Sequence, residues 1–229
     1  MKFIKIFIFI FISLTSSVKA DLDKNLVSEL EDGGKLIFIR HAYAPGGGDP
    51  NNFNLNDCST QRNLSNEGKN QAKNIGEFFR KNKIKIEKVI SSEWCRCKDT
   101  SSLAFGSFET KNFLNSFYSS KFAKNKKSQM LDLRKYIKNF KSKKNLVLVT
   151  HYVVISEALN YAPSSGEIVI SDKKFNIIGT FKTNYKNIMS SKRAMKQAQK
   201  QAYAKHRSNI TNNRFNSRKR NINKNKKKN

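Results

Sequence analysis

The sequence predicts an α/β domain built on a mainly parallel central sheet. Two short runs indicate this class: residues 36–39 and residues 146–149 each hold four large apolar side chains in a row. Runs of this length are typical of strands that are buried on both faces, as in a parallel sheet. Amphipathic helix patterns lie between the two runs, which is the alternation expected when helices connect parallel strands.

The first elements are a helix, a strand and a long loop. Residues 21–32 form the helix, in which leucines recur every four residues until Gly33 and Gly34 end it. The strand over residues 36–39 follows. Residues 44–62 then form a loop that is rich in Gly, Pro, Asn and Asp and has no periodic apolar pattern. Loops of this length within a compact domain often shape a binding site.

A helix, a strand and a second helix come next. Ser65 is a typical N-cap residue, and the apolar stripe that follows it at helical spacing reaches Phe79. Residues 86–92 have the composition of a short strand. Residues 93–106 then have the pattern of a helix that ends at a glycine.

The last elements include the second buried strand. Apolar residues recur at spacings of three and four over residues 130–140, which predicts an amphipathic helix. The strand over residues 146–149 and a short helix over residues 153–161 follow. Residues 166–171 and 175–181 are separated by a polar turn and predict a closing pair of strands.

Four residues that could bind or attack a phosphate lie where the predicted strands end. Arg40 and His41 follow the first buried strand, and His151 follows the second. Arg96 lies in the first turn of a helix, where free backbone N–H groups favour an anion. The carboxyl ends of parallel strands meet at one edge of a sheet, and ligands bind at that edge. The sequence therefore predicts that these groups meet around an anion.

Positive charge is concentrated at the C-terminal end of the chain. The whole chain has a formal net charge of +28 and a pI near 10.1. Residues 182–229 contain sixteen Lys and Arg and no Asp or Glu. Such a segment buries too little apolar surface to offset its ordering entropy, so we predict a disordered basic tail. Its expected partner is an anionic membrane surface, and its few aromatic residues argue against specific nucleic-acid binding.

Residues 1–20 have the pattern of a secretory signal peptide. Lys2 and Lys5 precede an apolar core, and small residues before Asp21 offer a cleavage site. The apolar run is shorter than the roughly 20 residues that span a bilayer, which favours a cleaved signal over a membrane anchor. We therefore predict an exported protein, periplasmic or secreted, whose globular domain covers residues 21–181.

Export would place the three cysteines in an oxidising compartment, where a disulfide can persist. Cys95 and Cys97 are two residues apart in a predicted helix, so their side chains point about 200° apart around its axis. Only one of them can face the loop that carries Cys58. We predict a disulfide from Cys58 to Cys95 or Cys97, and the alternative is three unpaired, buried cysteines.

Four motifs in the chain resemble, in their order and spacing, those of the histidine phosphatase superfamily. The matches extend from Leu36 to about Ile170, which is most of the predicted domain. The motifs are Leu36-Ile37-Phe38-Ile39-Arg40-His41-Ala42, then Leu64-Ser65-Asn66-Glu67-Gly68 with Gln71-Ala72, then Ser91-Ser92 with Arg96 and Thr100, then Val149-Thr150-His151.

This resemblance implies a phosphoglycerate-mutase-like, three-layer α/β fold and phosphoryl transfer through a phosphohistidine on His41. Arg40 and Arg96 would bind the phosphoryl oxygens with paired N–H donors, and His151 would donate a hydrogen bond to one oxygen. Arg62 is a further candidate for a phosphate contact. No metal or other cofactor is required, because the cationic side chains supply the positive charge.

The motifs do not identify the general acid that protonates the leaving oxygen. Members of the superfamily often carry a glutamate in the region where this chain has Leu114-Asn115-Ser116. The candidates for a replacement are Glu109, Asp57 and Asp49. Without such an acid, substrates with good leaving groups are favoured.

The sequence thus predicts an exported, metal-independent phosphatase that acts on a phosphorylated small molecule or an envelope phosphate group. The alternative is a binding protein of the same fold that retains an anionic ligand without hydrolysis and is tethered to an anionic surface by its tail. A zinc site formed by His41, His151 and Cys58 is disfavoured, because no further ligand lies at a suitable spacing. The identity of the substrate and the oligomeric state stay open.

Overall fold

A six-stranded sheet forms the centre of the structure, a computed structural model that describes residues 25–183. The strands are β1 (Leu36–Arg40), β2 (Ile86–Ser91), β3 (Glu109–Thr110), β4 (Asn145–Thr150), β5 (Glu167–Ser171) and β6 (Ile177–Lys182). Their order in the sheet is β3-β2-β4-β1-β5-β6. The first four strands run parallel, β5 is antiparallel to β1, and β6 is antiparallel to β5. The predicted mainly parallel sheet is therefore confirmed.

Helices cover both faces of this sheet. They are α1 (25–32), α2 (Asn66–Lys81), α3 (Cys95–Phe105), α4 (Ser120–Ala123), α5 (Lys126–Asn139) and α6 (Tyr152–Leu159). Apolar side chains of α5 and α6 form one core with one face of the sheet, and those of α1, α2 and α3 form a second core with the other face. The three-layer arrangement is thus confirmed. The short elements β3 and α4 were not predicted, because two and four residues are too few to show a period.

Helix α2 begins as its N-cap residue predicts. The Ser65 hydroxyl accepts a hydrogen bond from the backbone N–H of Gly68 at 3.2 Å. A Cβ atom on Gly68 would overlap the carbonyl oxygen of Tyr43, which lies two residues after His41. Glycine at this position therefore lets the loop that leaves β1 lie directly against the backbone of α2.

The pairing of β1 with β4 brings the two predicted catalytic histidines to one edge of the sheet. Arg40 pairs with Thr150 in this parallel register, so His41 and His151 are both the next residue of their strands. The backbone N–H of His41 extends the ladder by donating to the carbonyl of Thr150 at 2.9 Å. Helix α6 starts immediately after His151.

The predicted disulfide is present and joins Cys58 to Cys95, with a Cα–Cα distance of 5.7 Å. It ties the long loop to the first turn of α3. Cys97 is unpaired and buried, because it points from the opposite side of the same helical turn. Burial raises the pKa of its thiol to about 12, which keeps the thiol protonated and unreactive.

A disulfide of this kind fits a protein outside the cytoplasm. Within residues 25–183, no helix combines the length and the apolar character that a bilayer crossing requires. The predicted signal peptide over residues 1–20 and all but the first two residues of the predicted tail over residues 182–229 lie outside the described residues.

Candidate active site

A cavity of about 750 Å³ opens at the carboxyl edge of the parallel strands. Its lining includes all four residues predicted to bind or attack a phosphate and the weaker candidate Arg62. The sheet positions Arg40, His41 and His151, while the first turn of α3 positions Arg96. Residues that are as far apart in the sequence as 40 and 151 are therefore brought together at one site.

His41 is held in one tautomer by the backbone carbonyl of the next residue. Its side chain is 2% exposed, and Nδ1 lies 2.8 Å from the carbonyl oxygen of Ala42. A carbonyl oxygen only accepts, so Nδ1 carries the proton and Nε2 keeps its lone pair. Burial, followed by the positive charge of Arg96, holds the pKa of His41 well below its usual range. The ring is therefore neutral near pH 7 and has a free nucleophilic nitrogen.

His151 is also buried and lies against His41, with 5.5 Å between the ring centroids. Its Nε2 is 2.9 Å from the hydroxyl of Ser92, and its Nδ1 is 3.5 Å from a terminal nitrogen of Arg96. Arginine only donates, so this contact places the lone pair on Nδ1 and the proton on Nε2. Burial, followed by the charge of Arg96, lowers the pKa of His151 as well.

Arg96 is bound by the carboxylate of Asp49 through both of its terminal nitrogens. The distances are 2.7 Å from Nη1 to Oδ1 and 3.2 Å from Nη2 to Oδ2. The indole N–H of Trp94 and the backbone N–H of Arg62 each donate to the same carboxylate at 3.0 Å. Four donors therefore hold Asp49 on the lining of the cavity that also contains the two histidines, and the two bonds from Arg96 fix the plane of its guanidinium.

Two opposing effects act on the carboxyl group of Asp49. Burial raises its pKa, but the hydrogen bonds and the charge of Arg96 outweigh burial and hold the pKa below its usual range. Asp49 is therefore an anion near pH 7. In this state it orients Arg96 and has no proton to give to a leaving group.

Arg40 and Arg62 add two further positive charges to the cavity. Arg40 donates to the carbonyl of Pro163 at 2.9 Å and lies over the ring of Tyr152, 5.3 Å from its centroid. Arg62 donates to the carbonyl of Ala44 in the long loop. The Nε atoms of both side chains are buried and have no hydrogen-bond partner within residues 25–183. The described lining of the cavity carries three arginines and a lysine against one carboxylate, and this excess of positive charge suits an anion.

The two other candidates for a general acid lie away from this cavity. Glu109 is on the short edge strand β3 and forms an exposed ion pair with Lys88 at 2.9 Å. Asp57 caps a short turn in the long loop by accepting from the backbone N–H of Ser59 at 2.9 Å. Neither residue lines the cavity, and Asp49 is the one carboxylate among its described lining residues.

The sequence did not predict the hydrogen bonds that connect His151 to Ser92 and Ser92 to Asn115. The hydroxyl of Ser92 contacts His151 on one side and the side-chain oxygen of Asn115 at 3.1 Å on the other. Ser92 belongs to a matched motif, which is a signal that could have identified it. The ion pair of Asp49 with Arg96 has no such signal, because the long loop shows no periodic pattern.

The zinc site that we weighed as an alternative lacks a thiolate ligand. The sulfur of Cys58 is bonded to Cys95 and is not free to bind a metal. No group of three potential ligands among His, Cys, Asp and Glu occurs within residues 25–183.

Acidification is expected to destabilise the domain, because both site histidines are buried in their neutral form. Their pKa values lie below 6.5 in the folded chain, whereas an unfolded histidine takes up a proton near 6.5. Below that pH the unfolded state binds more protons, so stability falls as the pH falls. The free energy of unfolding from urea titration should drop by about 1.4 kcal/mol per histidine for each pH unit, until the folded-state pKa is reached.

The same titration on the variant His151→Asn provides the control for this prediction. It should show about half of the pH dependence, since one of the two buried titrating groups is gone. A free energy of unfolding that is constant as the pH falls from 6.5 would contradict the neutral, buried state of both rings.

No protein-family model matches the sequence, and a search of curated proteins finds no match. Solved structures that are similar to the chain include the protein histidine phosphatase SixA bound to tungstate, which is 13% identical, with 65% of this chain and 97% of that chain covered and a TM-score of 0.44. The structural neighbours of this chain thus include a protein histidine phosphatase. A mutant phosphoserine phosphatase from Entamoeba histolytica bound to phosphoserine is 17% identical, with 66% and 98% covered and a TM-score of 0.46. TTHB049 from Thermus thermophilus is 16% identical, with 64% and 98% covered and a TM-score of 0.46.

Proposed function

We propose that the chain is a metal-independent phosphatase that hydrolyses a phosphoric monoester through a phosphohistidine on His41. The observation that carries this proposal is the hydrogen bond from Nδ1 of His41 to the Ala42 carbonyl. This bond leaves the lone pair on Nε2, in a cavity lined by three arginines and a second neutral histidine. A neutral imidazole among fixed positive charges is suited to attack a phosphoryl group.

The first chemical step forms a bond between phosphorus and Nε2 of His41. The ester P–O bond breaks in the same step, and the leaving oxygen takes its electron pair. Negative charge on the phosphoryl oxygens is stabilised by Arg40 and Arg96, whose guanidinium groups are already held in place by Pro163 and Asp49. The Ala42 carbonyl stabilises the positive charge that develops on the ring of His41 through Nδ1.

His151 can support this step if its proton moves to the other ring nitrogen. With a proton on Nδ1, the nitrogen beside Arg96 becomes a donor to a phosphoryl oxygen. The hydroxyl of Ser92 can then donate to Nε2, because a hydroxyl group both donates and accepts. Ser92 therefore serves either tautomer of His151.

The second step returns the enzyme to its starting state. Water attacks phosphorus, the P–N bond to His41 breaks, and both protons of the water leave on the released dihydrogen phosphate. The imidazole is then again neutral. The disulfide and the signal-peptide pattern of residues 1–20 support export of this phosphatase. Its proposed substrate is a phosphorylated small molecule or an envelope phosphate group. An anionic membrane surface is the proposed partner of the basic tail.

One specific observation favours the alternative of an anion-binding protein without turnover. Asp49 already takes up both terminal nitrogens of Arg96, and the described lining of the cavity holds no second carboxyl group. A chain that binds phosphate but forms no phosphohistidine would fit this arrangement.

The test is to incubate the full-length chain with p-nitrophenyl phosphate in the presence of EDTA and to measure released phosphate. A second sample is quenched in alkaline denaturant, in which a phosphohistidine is stable, and is then acidified. We expect turnover in EDTA and a phosphorylated chain that loses its phosphate in acid. Phosphate binding in a calorimeter with neither turnover nor phosphorylation would support the binding protein instead.

A further inference from the structure

We propose that this site takes aryl phosphates, in which the phosphate is esterified to a planar aromatic ring. This inference rests on the proposed function and names the substrate class of the same cavity. Two independent features support it: the aromatic side chains that line the cavity, and the absence of a proton donor among the carboxyl groups of its described lining.

Two exposed tyrosines lie on the lining of the cavity. Tyr118 is 60% exposed and Tyr43 is 48% exposed, and they are two of the five large apolar or aromatic residues that are exposed within residues 25–183. An exposed aromatic side chain that borders a binding cavity offers a flat surface to a ligand. The two tyrosines can therefore contact a group that projects from the cavity.

Contacts between aromatic rings connect the exposed Tyr118 to the phosphate-binding residues. Its ring lies against that of Tyr152, with 5.8 Å between centroids, and the guanidinium of Arg40 lies over the Tyr152 ring at 5.3 Å. A path of contacts thus leads from Arg40 to solvent over two aromatic rings. An ester whose phosphate is bound by Arg40 would extend its organic group along these rings.

A second aromatic group lines the cavity beside Asp49. Phe53 stacks on Trp94 at 5.1 Å, and Phe122 makes edge contacts with both rings at 5.7 and 5.5 Å. Trp94 also contacts His151 at 5.4 Å between centroids. The cavity thus combines cationic side chains with aromatic rings, which form much of its described lining. This combination matches a ligand with an anionic end and a flat apolar end.

The chemistry of the leaving group points to the same class. Asp49 is ionised, so the cavity lacks a carboxyl proton for the leaving oxygen. A phenol has a pKa of about 10, whereas water and alcohols are much weaker acids. A phenolate can therefore depart without prior protonation, and an alkoxide cannot depart readily.

The test compares three phosphoryl donors with the full-length chain. Phenyl phosphate has an aromatic leaving group, acetyl phosphate has a leaving group without a ring that also departs without prior protonation, and glycerol 2-phosphate has an alkoxide leaving group. The double variant Tyr43→Ala/Tyr118→Ala should lower kcat/KM for phenyl phosphate by about tenfold. Its kcat/KM for acetyl phosphate should be unchanged, and glycerol 2-phosphate should be the slowest substrate of the parent chain.

Leu131→Ala is the matched control, because Leu131 is also 60% exposed but lines a different surface cavity. It should leave both kcat/KM values unchanged. An equal loss for phenyl and acetyl phosphate in the tyrosine variant, or no loss for phenyl phosphate, would overturn the aryl preference alone. If the parent chain turns over none of the three donors, the proposed function fails and the substrate class fails with it.

Discussion

Replacing His41 with asparagine is expected to lower kcat for p-nitrophenyl phosphate by at least about a thousandfold. The variant loses the only group that the mechanism uses to form a bond to phosphorus. Asparagine is chosen because His41 is buried, and its side-chain N–H can donate to the Ala42 carbonyl as Nδ1 does in the parent. Initial rates at saturating substrate, measured in EDTA, check this expectation.

His206→Asn is the matched control, since it removes the third histidine of the sequence by the same substitution. The proposed mechanism gives His206 no role, so its rate should equal that of the parent. Phosphate binding to His41→Asn should persist, because Arg40, Arg62 and Arg96 remain. Turnover that survives in His41→Asn would show that another group is the nucleophile.

Replacing Arg96 with alanine is expected to reduce both catalysis and stability. The rate should fall by roughly a hundredfold to a thousandfold, as for the loss of a donor that stabilises transition-state charge. Stability should fall by about 3 kcal/mol, because the Asp49 carboxylate loses its two strongest donors while its side chain is only 19% exposed. Urea unfolding at pH 7 measures the second effect independently of activity.

A double variant separates the two effects of Arg96→Ala. Adding Asp49→Asn removes the unpaired charge, so Arg96→Ala/Asp49→Asn should recover part of the stability while activity stays low. Arg134→Ala provides a control at an exposed arginine, whose guanidinium lies 4.8 Å from the ring centroid of Phe175 and away from the cavity. Equal activity in Arg96→Ala and Arg134→Ala would remove Arg96 from the phosphate-binding site.

The meeting of the two histidines could be predicted because it depends on strand pattern. The apolar runs before His41 and His151 identify buried strands, and parallel strands end at a common edge. The helix start at Ser65 was equally predictable, because capping is a local interaction between residues three apart. Local periodicity and local capping thus specified most of the framework around the site.

The side-chain contacts within the site could not be predicted, because they involve a loop that has no periodic apolar pattern. Nothing in the sequence indicates that Asp49 binds Arg96 forty-seven residues away. The choice between Cys95 and Cys97 also required the rotation of α3 about its axis, which a helical pattern defines only after packing. For the same reason, the sequence left three carboxyl groups as equal candidates for the general acid.

The close packing of Gly68 against the Tyr43 backbone affects the orientation of the His41 imidazole. One residue separates His41 from Tyr43, so we expect a displacement of the Tyr43 carbonyl to shift the imidazole of His41. A side chain as small as a methyl group at residue 68 would tilt that imidazole away from its line of approach to phosphorus. The absence of a side chain at residue 68 therefore helps to set the direction from which His41 approaches phosphorus, although Gly68 does not line the cavity.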